Sequence, residues 1–169
     1  MTDATEAARW DDVETVARLL AAHAVEYILV GGYALFANGI VRLTQDIDIV
    51  VRVAPENSRR WIAALSRLPD GIAAGLAGED DPFPRDEDTG ALGVIRINDA
   101  FTVDVMPSAC GLSYEQLLPY RDFLDYEDGL AVPVLNLEGL LLTKRGSRQK
   151  DMVDAEALRL AIARAKGKA

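Results

Sequence analysis

Apolar residues recur along the chain with two different periods, which predict a mixture of helices and strands. A helix at about 6–24 follows from the i, i+3, i+4, i+7 spacing of Val13, Val16, Ala17 and Leu20. Apolar runs and alternating stretches predict strands at about 27–30, 46–53, 93–97, 101–106 and 132–135. Further helices or helical turns are expected at about 33–38, 55–68, 114–118, 137–144 and 149–166, the last with Val153, Ala157, Leu160 and Ala161 as its buried stripe.

The stretch from Gly31 to Val51 carries the strongest chemical pattern in the chain. A glycine pair, Gly31-Gly32, follows an apolar strand and precedes a short helix that stops at Asn38-Gly39. Glycine lets the main chain approach a ligand closely, and a helix N-terminus carries partial positive charge, so this turn suits a phosphate group. Taken alone, a glycine pair is more often only a turn.

Asp46 and Asp48 lie on the strand that follows. Side chains alternate along a strand, so these two carboxylates project from one face, with their Cα atoms roughly 6.5 Å apart. Hard divalent cations prefer oxygen ligands and would relieve the repulsion between the two acids. An Asp-x-Asp pair alone is more often a solvated strand edge, and its place after the glycine turn is what makes a cation site specific.

Asp104 is a third acid, in a strand that is otherwise apolar. Its neighbours Val103 and Val105 are expected to face the opposite way. A buried carboxylate needs a partner, and a cation shared with Asp46 and Asp48 would be one. An ordinary edge-strand acid is the alternative. An Asp104 side chain turned away from the other acids, or a lysine or arginine filling the space between them, would contradict the shared cation and any function that depends on it.

Size and composition favour a single domain spanning residues 1–169. The formal net charge of −9 argues against a broad nucleic-acid interface, which normally needs a basic face. The single cysteine, Cys110, cannot form an internal disulfide and is expected to be a packed small residue. Neither a secretory signal nor a membrane-crossing run is visible, so a cytoplasmic location without membrane contact is expected.

Residues 69–91 combine turn-forming and acidic residues, with the run GEDDPFPRDEDTG at 78–90. So many acids with two prolines predict a solvated loop, which could also serve as a flexible flap over the site. The sequence assigns no role to the acidic part at 79–90. The densest cationic cluster lies elsewhere and consists of Lys144, Arg145, Arg148 and Lys150.

Together these residues resemble the nucleotidyltransferase superfamily that includes DNA polymerase beta, and within it the small bacterial abortive-infection and toxin–antitoxin nucleotidyltransferases. The first part of the resemblance is Gly31-Gly32, then Arg42-x-Thr44-x-Asp46-x-Asp48, then Asp104. A C-terminal set looks like the family's lysine–arginine and Lys-Asp-x-x-Asp motifs: Lys144, Arg148, Lys150, Asp151 and Asp154. The resemblance covers nearly the whole chain.

The resemblance implies a nucleotidyltransferase fold, that is, an α/β (α+β) mixed sheet flanked by helices, with C-terminal helices at about 137–166 packing on the core. It implies two Mg²⁺ ions, or Mn²⁺ in their place, held by Asp46, Asp48 and Asp104. The implied contacts to the nucleoside triphosphate are Gly31, Gly32, Thr44, Lys144, Arg148 and Lys150. Arg42 and Thr44 are expected to support the acidic strand, and Asp151 and Asp154 could instead form a surface ion-pair network with Lys150.

The implied reaction moves a nucleoside monophosphate from a nucleoside triphosphate to a hydroxyl of tRNA, a protein or a small molecule. A catalytically silent nucleotide-binding or antitoxin-like module with the same fold is the second hypothesis, and an acidic interaction protein unrelated to nucleotides is the third. The sequence leaves open the base preference and the choice between a cognate partner protein and a homodimer. Gly32 stands where many members have serine, so the backbone alone would contact phosphate there.

Overall fold

The computed structural model describes residues 5–144 and 149–167. For residues 149 and 150 it describes the backbone alone. The helices are α1 Trp10–Ala22, α2 Gly31–Ala37, α3 Pro55–Leu65, α4 Tyr114–Leu117, α5 Leu137–Leu142 and α6 Gln149–Gly167. The strands are β1 Tyr27–Val30, β2 Asp46–Val51, β3 Ile95–Asn98, β4 Thr102–Met106, β5 Ser108–Ala109, β6 Leu112–Ser113, β7 Arg121–Asp125 and β8 Ala131–Leu135. Two 3-10 turns lie at Ile72–Leu76 and Leu118–Tyr120. Within these described ranges, every helix is too short or too polar to cross a membrane.

Six of the described strands form one mixed sheet in the order β3-β4-β2-β1-β8-β7. In its centre β2 runs parallel to β4 and antiparallel to β1, and β1 runs parallel to β8. Antiparallel pairs form both edges, β3 with β4 and β7 with β8. This order brings β2 and β4 side by side, so residues that are far apart in the chain become neighbours.

The hydrophobic core includes the apolar positions that alternate with the acids of β2 and β4. Ile47, Ile49, Val103 and Val105 are all fully buried, as the alternation predicts. Helices α1 and α3 pack against each other and add Leu20 to the same core. Each such side chain contributes roughly 1.5–3 kcal/mol when it is fully buried, so this packing fixes the positions of the two acidic strands.

Most of the predicted elements are confirmed to within a few residues. The predicted stripe of α1 is buried, and α3 begins at Pro55, which is favourable in a first helical turn. The differences include one helix start and one missed strand. Helix α2 begins at Gly31 itself, not near Tyr33. Strand β7 was not predicted, because its sequence RDFLD is mostly exposed and shows no buried face that periodicity could detect.

The buried stripe predicted for the last helix is wrong. Val153 and Leu160 are 61% and 54% exposed. The buried face of α6 instead carries Asp151, Asp154, Ala155 and Leu158. The spacing of apolar residues did not identify this buried face because two of its residues are aspartates. These aspartates pair with basic side chains, and such pairs can be buried on an inward face.

Cys110 differs from the expectation, whereas the loop at 69–91 is mostly exposed as predicted but has buried contacts at several points. Cys110 is exposed and has φ +48°, in the turn between β5 and β6. In the loop, Phe83 is buried, and its ring centroid lies 6.0 Å from that of Trp61. The buried carboxylate of Asp99 accepts hydrogen bonds from the backbone N–H groups of Asp70 and Ile72. These contacts anchor parts of the segment to the core.

Candidate active site

Asp48 and Asp104 lie directly opposite each other on neighbouring parallel strands. The register of β2 and β4 pairs Asp48 with Asp104 and Asp46 with Thr102. Residues paired across strands project from the same face of a sheet, as do residues at i and i+2 on one strand. The fold therefore brings the three predicted acids together on the face opposite Ile47.

The glycine pair lies directly against these residues. Gly31 has φ +69°, and a Cβ atom there would lie 2.2 Å from Oδ2 of Asp48. A Cβ atom on Gly32 would lie 2.5 Å from Oγ1 of Thr44. The Thr44 hydroxyl donates a long hydrogen bond of 3.4 Å to the backbone oxygen of Asp46. Both glycines are therefore required by space, and Gly31 also by its backbone conformation.

A cavity of about 470 Å³ opens beside the glycine turn. It lies within the size range of small-molecule sites, roughly 300–1,000 Å³. The predicted site residues that line it are Gly31, Gly32, Thr44, Asp46, Asp48 and Lys144. Arg42, Asp151 and Cys110 also line it. None of the described lining residues comes from 69–91, so the acidic loop does not cover the cavity in this conformation.

The pKa of Asp48 is raised to about 7. Burial is the main cause because it disfavours the charged form, and the charge of Asp104, a hydrogen bond with Asp104 and the charge of Asp46 act in the same direction. The Lys144 ammonium opposes these effects. A bound cation would favour the charged form of Asp48 and so lower this pKa.

Arg96, which sequence reasoning missed, contacts two of the three acids. Its Nε donates to Oδ1 of Asp104 at 2.9 Å, and its Nη2 donates to Oδ2 of Asp104 at 3.1 Å and to Oδ2 of Asp46 at 3.3 Å. The antiparallel register of β3 and β4 sets Arg96 opposite Asp104. The sequence held a signal for this contact, since opposite charges often pair across the strands of a hairpin.

The three acids suit a divalent cation in residue type but not in their present arrangement. Carboxylate oxygens are the ligands that Mg²⁺ and Mn²⁺ prefer. Among the described residues, however, no group of three or more His, Cys, Asp or Glu side chains is arranged to hold a metal ion. The Arg96 guanidinium lies beside Asp46 and Asp104, where a cation would compensate their charge. A basic side chain in this position counts against a preformed metal site.

A second charged cluster borders the cavity and joins α6 to the rest of the site. Lys144 Nζ lies 3.1 Å from Oδ2 of Asp154 and 3.7 Å from Oδ1 of Asp151. Arg42 donates to the same Asp154 oxygen. Both aspartates are buried, so the predicted surface ion-pair network is wrong. Lys144 thus pairs with the acids of α6, although it lines the cavity.

Two predicted nucleotide contacts lie outside the part of the site that the structure describes. Arg148 is outside the described residues, and for Lys150 only the backbone, in the first turn of α6, is described. Their predicted contacts to the triphosphate therefore stay predictions.

Comparison with solved structures identifies the architecture. A crystal structure from Thermotoga maritima, described as that of a candidate nucleotidyltransferase, matches with a TM-score of 0.55 over 92% of each chain. This chain has the nucleotidyltransferase fold. The two sequences are 18% identical, so the likeness concerns the fold alone. No protein-family model matches the chain, and no curated protein gives a significant match.

Proposed function

We propose that the protein is a metal-dependent nucleotidyltransferase that moves a nucleoside monophosphate from a nucleoside triphosphate to a hydroxyl acceptor. The observation that carries this proposal is the register that sets Asp48 opposite Asp104, with Asp46 on the same face. The glycine turn lies against this face, and a cavity of ligand size opens beside it. A nucleotidyltransferase fold supports the same interpretation.

The triphosphate would lie between the glycine turn and Lys144. Because Gly31 and Gly32 carry no side chains, phosphate oxygens can reach the main chain of the turn closely. The Lys144 ammonium supplies a point charge, and its two pairs with Asp151 and Asp154 hold it at the cavity wall. These residues bind and orient the nucleotide.

Asp46, Asp48 and Asp104 would hold Mg²⁺ or Mn²⁺, which when bound would neutralise charge on the phosphates and favour ionisation of the attacking hydroxyl. The acceptor oxygen forms a bond to the α-phosphorus as the bond from that phosphorus to the bridging oxygen breaks. Pyrophosphate leaves with the bonding electrons, and the hydroxyl proton passes to solvent. The contribution of the chain is to hold the two reacting groups in line beside the acids.

The acceptor is a hydroxyl of tRNA, of a protein or of a small molecule. The net charge of −9 disfavours extensive contact with nucleic acid. A labelling experiment decides among these acceptors. Each nucleoside triphosphate, labelled at the α-phosphate, is added to a cell extract together with either the wild-type protein or the Asp46→Asn variant. Label that depends on Asp46 and is removed by ribonuclease indicates RNA, and label removed by protease indicates a protein. Failure of the wild type to label any molecule, with any of the nucleotides, would contradict the proposal.

Arg96 favours a second candidate, a catalytically silent nucleotide-binding or antitoxin-like module. In that module the guanidinium would permanently compensate Asp46 and Asp104, and no metal would be needed. Melting temperatures separate the candidates, because a ligand that binds only the folded state raises this temperature. A nucleotide-induced rise that requires Mg²⁺ supports the enzyme, and an equal rise in EDTA supports the silent module.

A cellular role in abortive infection or a toxin–antitoxin pair belongs to the same proposal. A toxin of this kind would act on a cytoplasmic target and would be restrained by a cognate protein. Growth arrest on expression of the wild type, with normal growth on expression of Asp46→Asn, is the expected result for a toxin. Normal growth with both would favour an enzyme with a housekeeping role over a toxin.

A further inference from the structure

Arg96 and the cavity contact two different pairs of the three acids. Asp46 and Asp48 line the cavity, whereas Asp104 and Arg96 do not. Arg96 comes from β3, which is an edge strand of the sheet. A ligand in the cavity can therefore reach Asp46 and Asp48 while the guanidinium still holds Asp104.

The guanidinium is the part of this contact that can move. The Arg96 side chain is 58% exposed, whereas those of Asp104 and Asp46 are 12% and 34% exposed. The two acids are fixed on adjacent strands, and the arginine can rotate into solvent about its long side chain. Ion pairs with an exposed partner are weak, so a divalent cation can displace Arg96 at small cost.

We propose that Arg96 is a built-in counter-ion that competes with a divalent cation for Asp104 and Asp46. A cation held by Asp46 and Asp48 on the cavity side requires Arg96 to release only its 3.3 Å contact with Asp46, while its contacts with Asp104 stay in place. A cation that uses Asp104 requires the guanidinium to leave. The acids therefore become available in a fixed order, with Asp104 last. This inference rests on the proposed function, because it assumes that the acids bind divalent cations.

Titration calorimetry with MnCl₂ on the nucleotide-free protein tests this competition. Arg96→Gln should tighten Mn²⁺ binding by about two- to fivefold, as expected for the loss of a weak competing ion pair. The matched control is Arg85→Gln, which removes an exposed arginine paired with Asp81 and leaves the cavity lining intact. This control should bind Mn²⁺ as the wild type does. In an Asp104→Asn background, most of the effect of Arg96→Gln should disappear, because the two residues act as a pair.

The outcomes separate this inference from the proposed function. Equal Mn²⁺ affinity in the wild type and Arg96→Gln, with loss of binding in Asp46→Asn, would overturn the competition and leave the transferase proposal standing. Absence of Mn²⁺ binding in both proteins would overturn both. Binding in Arg96→Gln alone would support the competition and favour the silent module for the wild type. Should Arg96→Gln fail to fold, Arg96→Lys provides the test, since a lysine ammonium cannot form the planar two-nitrogen fork that the guanidinium makes with Asp104, and this variant should tighten binding to a smaller degree.

Discussion

Thr44 occupies the space that a side chain on Gly32 would need. A Cβ atom on Gly32 would lie 2.5 Å from both Cβ and Oγ1 of Thr44. The Thr44 hydroxyl therefore lies directly beside Gly32. Glycine at one position and threonine at the other form a matched pair, and a change at either position affects the space left for the other.

Gly32→Ser should destabilise the fold by about 1–3 kcal/mol, the usual cost of overpacking. Adding Thr44→Gly should recover much of this loss, because it removes both clashing atoms. Urea denaturation of the two single variants and the double variant measures the coupling. Gly75→Ser is the control, since a Cβ atom there meets nothing within 4 Å. Equal stability of Gly32→Ser and Gly75→Ser would contradict the steric interpretation.

Asp48→Asn should stabilise the metal-free protein, and more so at pH 8 than at pH 5. The folded-state pKa of Asp48 is raised to about 7, above the unfolded value of about 3.9. Between these values the unfolded chain binds fewer protons at this residue, so the stability of the wild type falls as the pH rises. The asparagine variant lacks this loss, which amounts to a few kcal/mol at most.

Denaturation in EDTA at the two pH values measures this difference. The free energy of unfolding of Asp48→Asn minus that of the wild type should grow from pH 5 to pH 8. Other titrating groups are the same in both proteins, so they largely cancel. A difference that is constant with pH, or that shrinks, would show that Asp48 is not the perturbed acid.

Asp154→Ala should lower the stability by about 2–4 kcal/mol. It removes a buried carboxylate that pairs with Lys144 and Arg42, and a charge left without its partner is costly. Met152→Ala, on the exposed side of the same helix, should change the stability by less than about 0.5 kcal/mol. Thermal and urea denaturation provide the comparison. Equal effects of the two substitutions would mean that the pairs on α6 contribute little.

Asp104→Ala should reduce nucleotidyl transfer much more than nucleotide binding. Asp104 does not line the cavity, whereas Asp46 and Asp48 do. We expect turnover to fall by at least about a hundredfold, since a lost metal site removes several kcal/mol of transition-state stabilisation. Calorimetry with a nucleoside triphosphate and Mg²⁺ reports binding, and pyrophosphate release reports turnover. An equal loss of both would contradict the separate role of Asp104.

The sequence predicted the central strands and the face of its strand on which each acid lies because both depend on local rules. Alternation on β2 set Asp46 and Asp48 on one face, and the apolar neighbours of Asp104 set it on the corresponding face of β4. The turn of Gly31 was recognisable because glycine tolerates its positive φ. Each of these features is encoded within a few residues.

The contacts that sequence reasoning missed depend on which surfaces meet in three dimensions. The inward face of α6 could not be found from apolar spacing, because buried Asp151 and Asp154 are matched by the distant Lys144 and Arg42. The contact of Arg96 with Asp104 could have been predicted from the register of the hairpin. The contact of Arg96 with Asp46 could not, because it requires the parallel pairing of β2 and β4. Long-range pairing of this kind has no local signal.

The most direct test of metal-dependent nucleotidyl transfer is the release of pyrophosphate from a nucleoside triphosphate by the purified protein in the presence of cell extract. We expect release with Mg²⁺ or Mn²⁺, none above background in EDTA, and none from Asp46→Asn or Asp48→Asn, although both variants remain folded. Release that persists in either variant at the wild-type rate would contradict the assignment of these acids as metal ligands.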